Sequence, residues 1–163
     1  MPRTRVTAAP KEAGAIQTLL LLEEEPKLSG FLRRALRGYL LVHATTAEEA
    51  LLAFSNHAHH IDLLIAKVAL LKSSGIHVAS LLRFAVGDLP IILMAAHPVS
   101  DWSDRDVSDL ARLGPEAVEV LQQPFDADVI LGVVQRLLAA RRPKRHRSHS
   151  IVGARARGQV QGA

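Results

Sequence analysis

The sequence contains no cysteine and few aromatic residues. Without thiols it can form neither a disulfide framework nor a thiolate zinc site, and a reducing compartment is the simpler expectation. No apolar segment reaches the length of a membrane span, and no apolar signal region follows the basic N-terminus. We therefore expect a soluble, cytoplasmic protein that makes no contact with membranes.

The patterns of common enzyme and metal sites are also missing. No glycine-rich phosphate-binding loop follows the first apolar run, and no Ser or Cys nucleophile motif accompanies His97. Three histidines lie close together at His57, His59 and His60. No second pair of ligands accompanies them at the spacing of a zinc site, so a loop explains them better than a metal does. We expect no enzymatic activity and no metal centre.

Charge is distributed unevenly along the 163 residues. Residues 17–140 carry ten basic and fifteen acidic side chains, whereas residues 141–163 carry seven basic and no acidic ones. The hydrophobic fraction of 48% is sufficient for the core of one domain. Because residues 1–16 and 141–163 lack apolar periodicity, we predict one domain over 17–140 between two disordered tails.

Short apolar runs alternate with helical patterns in this central segment. The runs are TLLLL, LLVHA, IDLLIAK, PIILMAA and EAVEVLQ, beginning at residues 18, 40, 61, 90 and 116. The helical patterns after the second and third runs predict that Leu51 and Leu81 face the core. Runs that are apolar on both faces are typical of parallel strands covered by helices on both sides. The sequence therefore predicts a doubly wound α/β fold with a five-stranded parallel sheet.

Functional residues of such folds lie at the carboxyl ends of the strands. Here those ends are predicted at residues 23–25, Lys67, 95–97 and 122–124. Lys67 is unusual, because a buried-looking apolar run leads directly into its ammonium group.

Four segments resemble the receiver domains of two-component response regulators in order and spacing. They are LLEEEP, IDLLIAKVALLKSSG, LPIILMAAH and LGPEAVEVLQQPF, with landmarks at Pro26, Gly75 and Pro124. The resemblance covers residues 17–140 and implies a flavodoxin-like, CheY-like fold with strand order 2-1-3-4-5. It also implies a role in phosphorelay signal transduction, and a cis bond before Pro124.

The phosphorylation chemistry of that family does not carry over to this sequence. By this resemblance, Glu23 and Glu24 stand at the positions of the metal-binding acids, and Lys67 stands at that of the phosphoacceptor aspartate. Ala95 replaces the hydroxyl residue and Gln123 replaces the lysine. Val120 stands at the position of the aromatic switch. An ammonium group has no carboxylate oxygen with which to form an acyl phosphate. We interpret the chain as a pseudo-receiver that acts by protein–protein contact, independently of phosphorylation.

Lys67 offers a replacement for the metal ion. We expect its ammonium to pair with Glu23 or Glu24, since a positive charge about 4 Å from a carboxylate contributes a few kcal/mol at intermediate dielectric before desolvation. The positive charge of Lys67 would also repel Mg²⁺. A solvated Lys67 without a partner is the alternative. Acidic residues at 23–25 stabilise the N-terminus of the helix that follows, and this explains them as well as retained Mg²⁺ binding does. We therefore expect no cofactor.

The resemblance also indicates a partner surface on the fourth helix, fifth strand and fifth helix. On this surface we expect Trp102, Val107, Val120 and the exposed side of residues 126–140. Trp102 either anchors a partner or caps the core. The expected partner is a histidine kinase or another signalling protein, and a homodimer can use the same face.

Two other functions remain open at the sequence level. A different acid, either Asp62 or a glutamate within 23–25, could accept phosphate in a working receiver. The basic cluster could instead bind a nucleic-acid backbone through Arg141, Arg142, Lys144, Arg145 and Arg147. The cluster has no aromatic residues between its charges and no helix-turn-helix pattern beside it, so a solvated tail is the favoured explanation.

Overall fold

A computed structural model describes residues 15–57 and 60–141. Five parallel strands form one sheet in the order β2-β1-β3-β4-β5, which confirms the predicted fold class. The strands are β1 (Thr18–Leu22), β2 (Leu40–Ala44), β3 (Ile61–Lys67), β4 (Ile91–Ala95) and β5 (Val118–Gln122). The helices are α1 (Pro26–Ala35), α2 (Ala47–His57), α3 (Gly75–Ala85), α4 (Asp104–Leu113) and α5 (Ala127–Ala140), with a 3₁₀ helix at Val99–Asp101.

Helices cover both faces of the sheet in two layers. Leu20 and Leu22 point into a core shared with α2, α3 and α4, whereas Leu19 and Leu21 point into a core shared with α1 and α5. All four leucines are fully buried. Each contributes about 1.5–3 kcal/mol by leaving water, so the apolar runs hold both layers against the sheet.

Two backbone features place the ends of the strands. Pro26 occupies the first turn of α1, where its missing N–H costs no hydrogen bond, and it starts the helix directly after the acidic turn. Gly75 starts α3, and its N–H donates to the carbonyl oxygen of Val68 (2.9 Å). A Cβ on Gly75 would overlap the carbonyl oxygen of Lys67 and lie 2.9 Å from its carbonyl carbon. The start of α3 therefore lies directly against the end of β3.

Two expected core positions are wrong. Leu51 is 37% exposed and Leu81 is 43% exposed. On α3, the buried side chains include Ile76 and Ala79, so the buried stripe is rotated away from Leu81. The outer side of this layer is therefore more apolar than the sequence pattern predicts.

Several predictions fall at the limits of the described residues. Most of both predicted tails, at 1–14 and 142–163, lies outside them, as does His59 of the histidine cluster. Within the described residues no helix has the length and hydrophobicity needed to cross a bilayer.

Candidate functional site

The carboxyl edge of the sheet brings together four positions named from the sequence. We use "carboxyl edge" for Glu23, Lys67, Ala95 and Gln123, which end β1, β3, β4 and β5 or directly follow them. The parallel register aligns Lys67 with Met94 of β4, and the Gln123 N–H donates to the carbonyl oxygen of Ala95 (2.8 Å). The strands thus end side by side, and their terminal side chains share one edge.

Lys67 and Glu23 form an ion pair at this edge, as predicted. The Nζ atom of Lys67 lies 3.6 Å from Oε1 of Glu23. The side chain of Lys67 is 19% exposed, whereas that of Glu23 is fully buried. The Glu25 N–H also donates to Oε1 of Glu23 (2.7 Å). Oε2 of Glu23 has no hydrogen-bond partner among the described residues.

Burial raises the pKa of Glu23 above its ordinary value. The hydrogen bond from the Glu25 N–H and the charge of Lys67 both lower this pKa, but they offset the desolvation only in part. The carboxylate therefore retains part of the free-energy cost of burying a charge. Lys67 is the cationic side chain that limits this cost.

Glu24 does not share the ion pair. Its carboxylate accepts hydrogen bonds from the Leu71 N–H, at 3.1 Å to Oε1 and 3.2 Å to Oε2. Glu24 thus ties the turn after β1 to the loop after β3. Of the two adjacent acids that the resemblance assigns to one metal site, Glu23 contacts the end of β3 and Glu24 contacts the loop that follows it.

His43 fixes the backbone of the acidic turn, a role that the sequence did not reveal. Its Nε2 lies 2.7 Å from the carbonyl oxygen of Glu23, and its Nδ1 lies 3.2 Å from Nη2 of Arg33. A carbonyl oxygen can only accept, so Nε2 donates and Nδ1 accepts from the guanidinium. The bond from β2 holds Glu23 at the end of β1.

The remaining positions at the edge carry little polar chemistry. Ala95 is 2% exposed and presents a methyl group, and Gln123 presents a neutral amide before Pro124. The bond between Gln123 and Pro124 is cis, as the resemblance implies. Val120, at the position of the aromatic switch, is partly buried and packs against the core of the α2–α4 layer.

Trp102 makes the contacts of a residue that caps the core. It packs against the same core, and its Nε1–H donates to the carbonyl oxygen of His97 (3.0 Å). Val107, on α4, is 41% exposed. Among Trp102, Val107 and Val120, Val107 therefore has the most accessible apolar side chain. The contacts of Trp102 are mainly with the rest of the domain.

A second network, missed from the sequence, ties the loop before α3 to the start of α4. Ser74 Oγ donates to Oδ1 of Asp106 (2.7 Å), and Ser103 Oγ donates to Oδ2 of the same carboxylate (2.9 Å). The Asp106 N–H donates back to Ser103 Oγ (3.1 Å). Ser103 three residues before an acid resembles a capping box, a signal that could have predicted the start of α4 but not the link to Ser74.

The opposite edge contains the other acid and the first residue of the basic cluster. We use "amino edge" for Thr18, Asp62, Asp88 and Arg141. The Thr18 N–H donates to Oδ2 of Asp62 (2.8 Å), and Nη1 of Arg141 donates to the carbonyl oxygen of Asp62 (3.0 Å). Nη2 of Arg141 also lies 3.3 Å from Oδ1 of Asp88. Asp62 and Lys67 stand about 16 Å apart along β3, so Asp62 does not reach the carboxyl edge.

Of the basic cluster, Arg141 lies within the described residues. Arg141 is 16% exposed and is bound to acidic and carbonyl groups, so its guanidinium is not presented to solvent as a nucleic-acid contact. Arg142, Lys144, Arg145 and Arg147 lie outside the described residues.

Comparison with known proteins identifies the fold. No family model and no curated protein matches the sequence. A response regulator receiver protein of Sinorhizobium medicae is 23% identical, with a TM-score of 0.67 over 78% of this chain and 98% of its own. The chemotaxis protein CheY4 of Vibrio cholerae is 20% identical, with a TM-score of 0.64 over 76% and 99%. A receiver domain protein of Clostridium thermocellum is 18% identical, with a TM-score of 0.65 over 76% and 95%.

These similar structures are response regulator receiver domains. The chain has their CheY-like fold. The sequence identities are too low for the likeness to extend beyond the fold.

Proposed function

We propose that this protein is a receiver-like module of two-component signalling that acts by protein–protein contact and is not phosphorylated. The observation that carries this proposal is the Lys67–Glu23 ion pair at the carboxyl edge. The receiver fold of the similar structures supports two-component signalling as the setting. One of them is the receiver domain of a hybrid histidine kinase.

Phosphoryl transfer to a receiver requires a carboxylate at the end of the third strand. This chain carries an ammonium group there, already within 3.6 Å of the nearest buried carboxylate. A phosphoryl group would also lack its usual partners, because Ala95 has no hydroxyl group and Gln123 has no charge. The geometry therefore favours an edge that neither accepts nor stabilises phosphate.

The same contacts argue against Mg²⁺ at this edge. Divalent magnesium prefers an octahedral set of oxygen ligands, usually including one or two carboxylates. Here Glu23 faces the ammonium of Lys67, and Glu24 accepts from the Leu71 N–H. The described residues contain no group of three His, Asp or Glu side chains arranged to hold a metal ion. We propose that Lys67 supplies the positive charge instead.

Incubation with acetyl phosphate and Mg²⁺, followed by intact-mass measurement, tests the proposal. We expect no phosphoryl adduct on the unaltered chain. The triple variant Lys67→Asp, Ala95→Thr, Gln123→Lys should gain one, because it restores the carboxylate, the hydroxyl group and the cation. Its matched control, Lys67→Ala with the same two other changes, should not.

A phosphoryl adduct on the unaltered chain would contradict this function. Fragmentation would then distinguish Asp62 from a glutamate within 23–25 as the acceptor. Because Asp62 lies at the amino edge and accepts from the Thr18 N–H, we expect no label there.

For the partner contact we propose the face of α4, β5 and α5, with Val107 as its apolar contact. A histidine kinase or another signalling protein is the expected partner, and a second copy of the chain is the other candidate. Val107→Asp should weaken the complex recovered from the native host without changing the fold, because this side chain is 41% exposed. Unchanged recovery would place the contact elsewhere.

A further inference from the structure

Exposed apolar side chains are concentrated on one layer of helices. Six large apolar side chains on the described α-helices are exposed, and five of them lie on α2, α3 and α4. These five are Leu51, Leu52, Leu81, Phe84 and Val107. Phe84 is 94% exposed and Leu52 is 63% exposed. Leaving an aromatic side chain in water forfeits the free energy that its burial would release, which favours an occupant for the α2–α3 part of this layer.

The two layers also differ in charge. Helices α2, α3 and α4 carry five acidic and three basic side chains, of which two acidic and one basic lie on α2 and α3, whereas α1 and α5 carry four basic and one acidic. On α2, Glu48 and Glu49 are exposed in the turn that precedes Leu51 and Leu52. An occupant that matches this face combines apolar side chains with positive charge.

The chain's own C-terminal segment has this composition. Residues 142–163 carry six basic and no acidic side chains, and they contain the apolar pair Ile151 and Val152. The segment begins close to the end of α3, because Arg141 contacts Asp88, which lies just after α3.

The length of the segment is sufficient. The ten residues from Arg141 to Ile151 span up to about 33 Å when extended, and the eleven residues of α3 span about 17 Å. Phe84 lies at the end of α3 nearer to Asp88. The apolar pair can therefore reach Phe84 and Leu81 with chain to spare.

We propose that residues 142–163 dock across α2 and α3 of the same molecule. Ile151 and Val152 cover Phe84 and Leu81, and Arg155 and Arg157, which follow this pair, face the acidic start of α2. This docking does not depend on whether the carboxyl edge accepts phosphate. It leaves β5 and α5 uncovered.

Paramagnetic broadening in the full chain tests this docking. The chain has no native cysteine, so Ser150→Cys gives a single nitroxide site beside the apolar pair. In the ¹⁵N-labelled, spin-labelled chain, the amides of residues 80–85 should lose most of their intensity, and those of α1 should keep theirs. Raising the salt from about 0.1 M to about 1 M should weaken the effect, because the screening length falls from about 10 Å to about 3 Å.

Matched variants of the labelled chain separate docking from chance proximity. Phe84→Ser should restore the intensities, whereas Val129→Ser, on the other layer, should leave them reduced. Both positions are exposed, at 94% and 45%, so both variants are expected to fold, and the amide spectrum verifies this.

Three results would overturn the proposal. Intensities that stay high in the labelled chain mean that the face does not hold this segment. Broadening of an unlabelled ¹⁵N chain mixed with a spin-labelled ¹⁴N chain means that a second copy covers the face. Broadening that survives Phe84→Ser means that the apolar contact is not the determinant.

Discussion

The two edges of the sheet both set a basic side chain against acidic residues, but they differ in how completely the polar groups are satisfied. At the carboxyl edge, Lys67 lies 3.6 Å from a fully buried Glu23, and Oε2 of that carboxylate has no hydrogen-bond partner among the described residues. At the amino edge, Arg141 bonds both Asp88 and the carbonyl oxygen of Asp62. The amino edge thus resembles an ordinary structural contact.

The difference shows which edge retains a buried polar group that lowers the stability of the fold. Burying a carboxylate with one unpaired oxygen costs free energy that a neutral side chain of similar shape would avoid. Such incomplete satisfaction concentrates at functional sites. The carboxyl edge, where ligands of doubly wound folds bind, is the edge that retains it. Substitutions at each edge can therefore sharpen or break the contrast.

Gly75→Ala is expected to have the largest effect, because a Cβ there would overlap the carbonyl oxygen of Lys67. Either the end of β3 or the start of α3 must move, and we expect the free energy of unfolding in urea to fall by about 3 kcal/mol. Gly132→Ala in α5 is the control, since its Cβ meets nothing within 4 Å. It should raise stability by about 0.5–1 kcal/mol. A neutral Gly75→Ala would disprove the close approach at Lys67.

Lys67→Ala should lower the free energy of unfolding by about 1–3 kcal/mol at pH 7, because it leaves a buried carboxylate without its cation. Burial raises the pKa of Glu23, so its protonated form favours the folded state, and this contribution is lost as the pH rises through the folded-state pKa. Removing Lys67 raises that pKa further. The loss should therefore be complete above the folded-state pKa values of both chains and shrink as the pH falls through them toward 4.5, the ordinary glutamate value.

Lys72→Ala is the matched control for this change. Lys72 is exposed in the loop that follows β3. Its removal should leave stability unchanged at pH 7 and at about pH 4.5. Equal losses for the two variants, or a Lys67→Ala loss that does not depend on pH, would mean that the ion pair contributes nothing specific.

Arg141→Ala, at the amino edge, should have the smallest effect of the three, about 1 kcal/mol, because Asp88 is half-exposed and water can replace the lost bonds. Arg141→Lys should recover part of the loss, since a lysine keeps the charge but cannot make the forked contacts. Chemical denaturation of the three chains at one pH measures both effects. A loss larger than that of Lys67→Ala would reverse the ranking of the two edges.

The sequence predicted the location of the site better than its contacts. Five apolar runs placed Lys67 and the acidic turn at the same edge of the sheet, and the resemblance to receiver domains implied that they meet. The ion pair is present. The choice between Glu23 and Glu24 depends on the backbone path of the turn, which the bond from His43 to the Glu23 carbonyl oxygen helps to fix. No local pattern encodes a contact between residues twenty positions apart.

The helical surfaces show the same limit. Apolar spacing correctly predicted helices at α2 and α3, but the buried stripe is set by how each helix rotates against the sheet. Leu51 and Leu81 fall at its margin and are exposed. Trp102 was ambiguous for a related reason, because its hydrogen bond to His97 forms in an irregular segment around the 3₁₀ helix.

Titration of the Glu23 carboxyl by NMR tests most directly whether Lys67 serves as the cation of the carboxyl edge. In the unaltered chain the pKa should lie above 4.5, and in Lys67→Ala it should be higher still. A pKa that is the same in both chains would show that Lys67 does not stabilise the buried carboxylate, and the proposed replacement of the metal ion would be wrong.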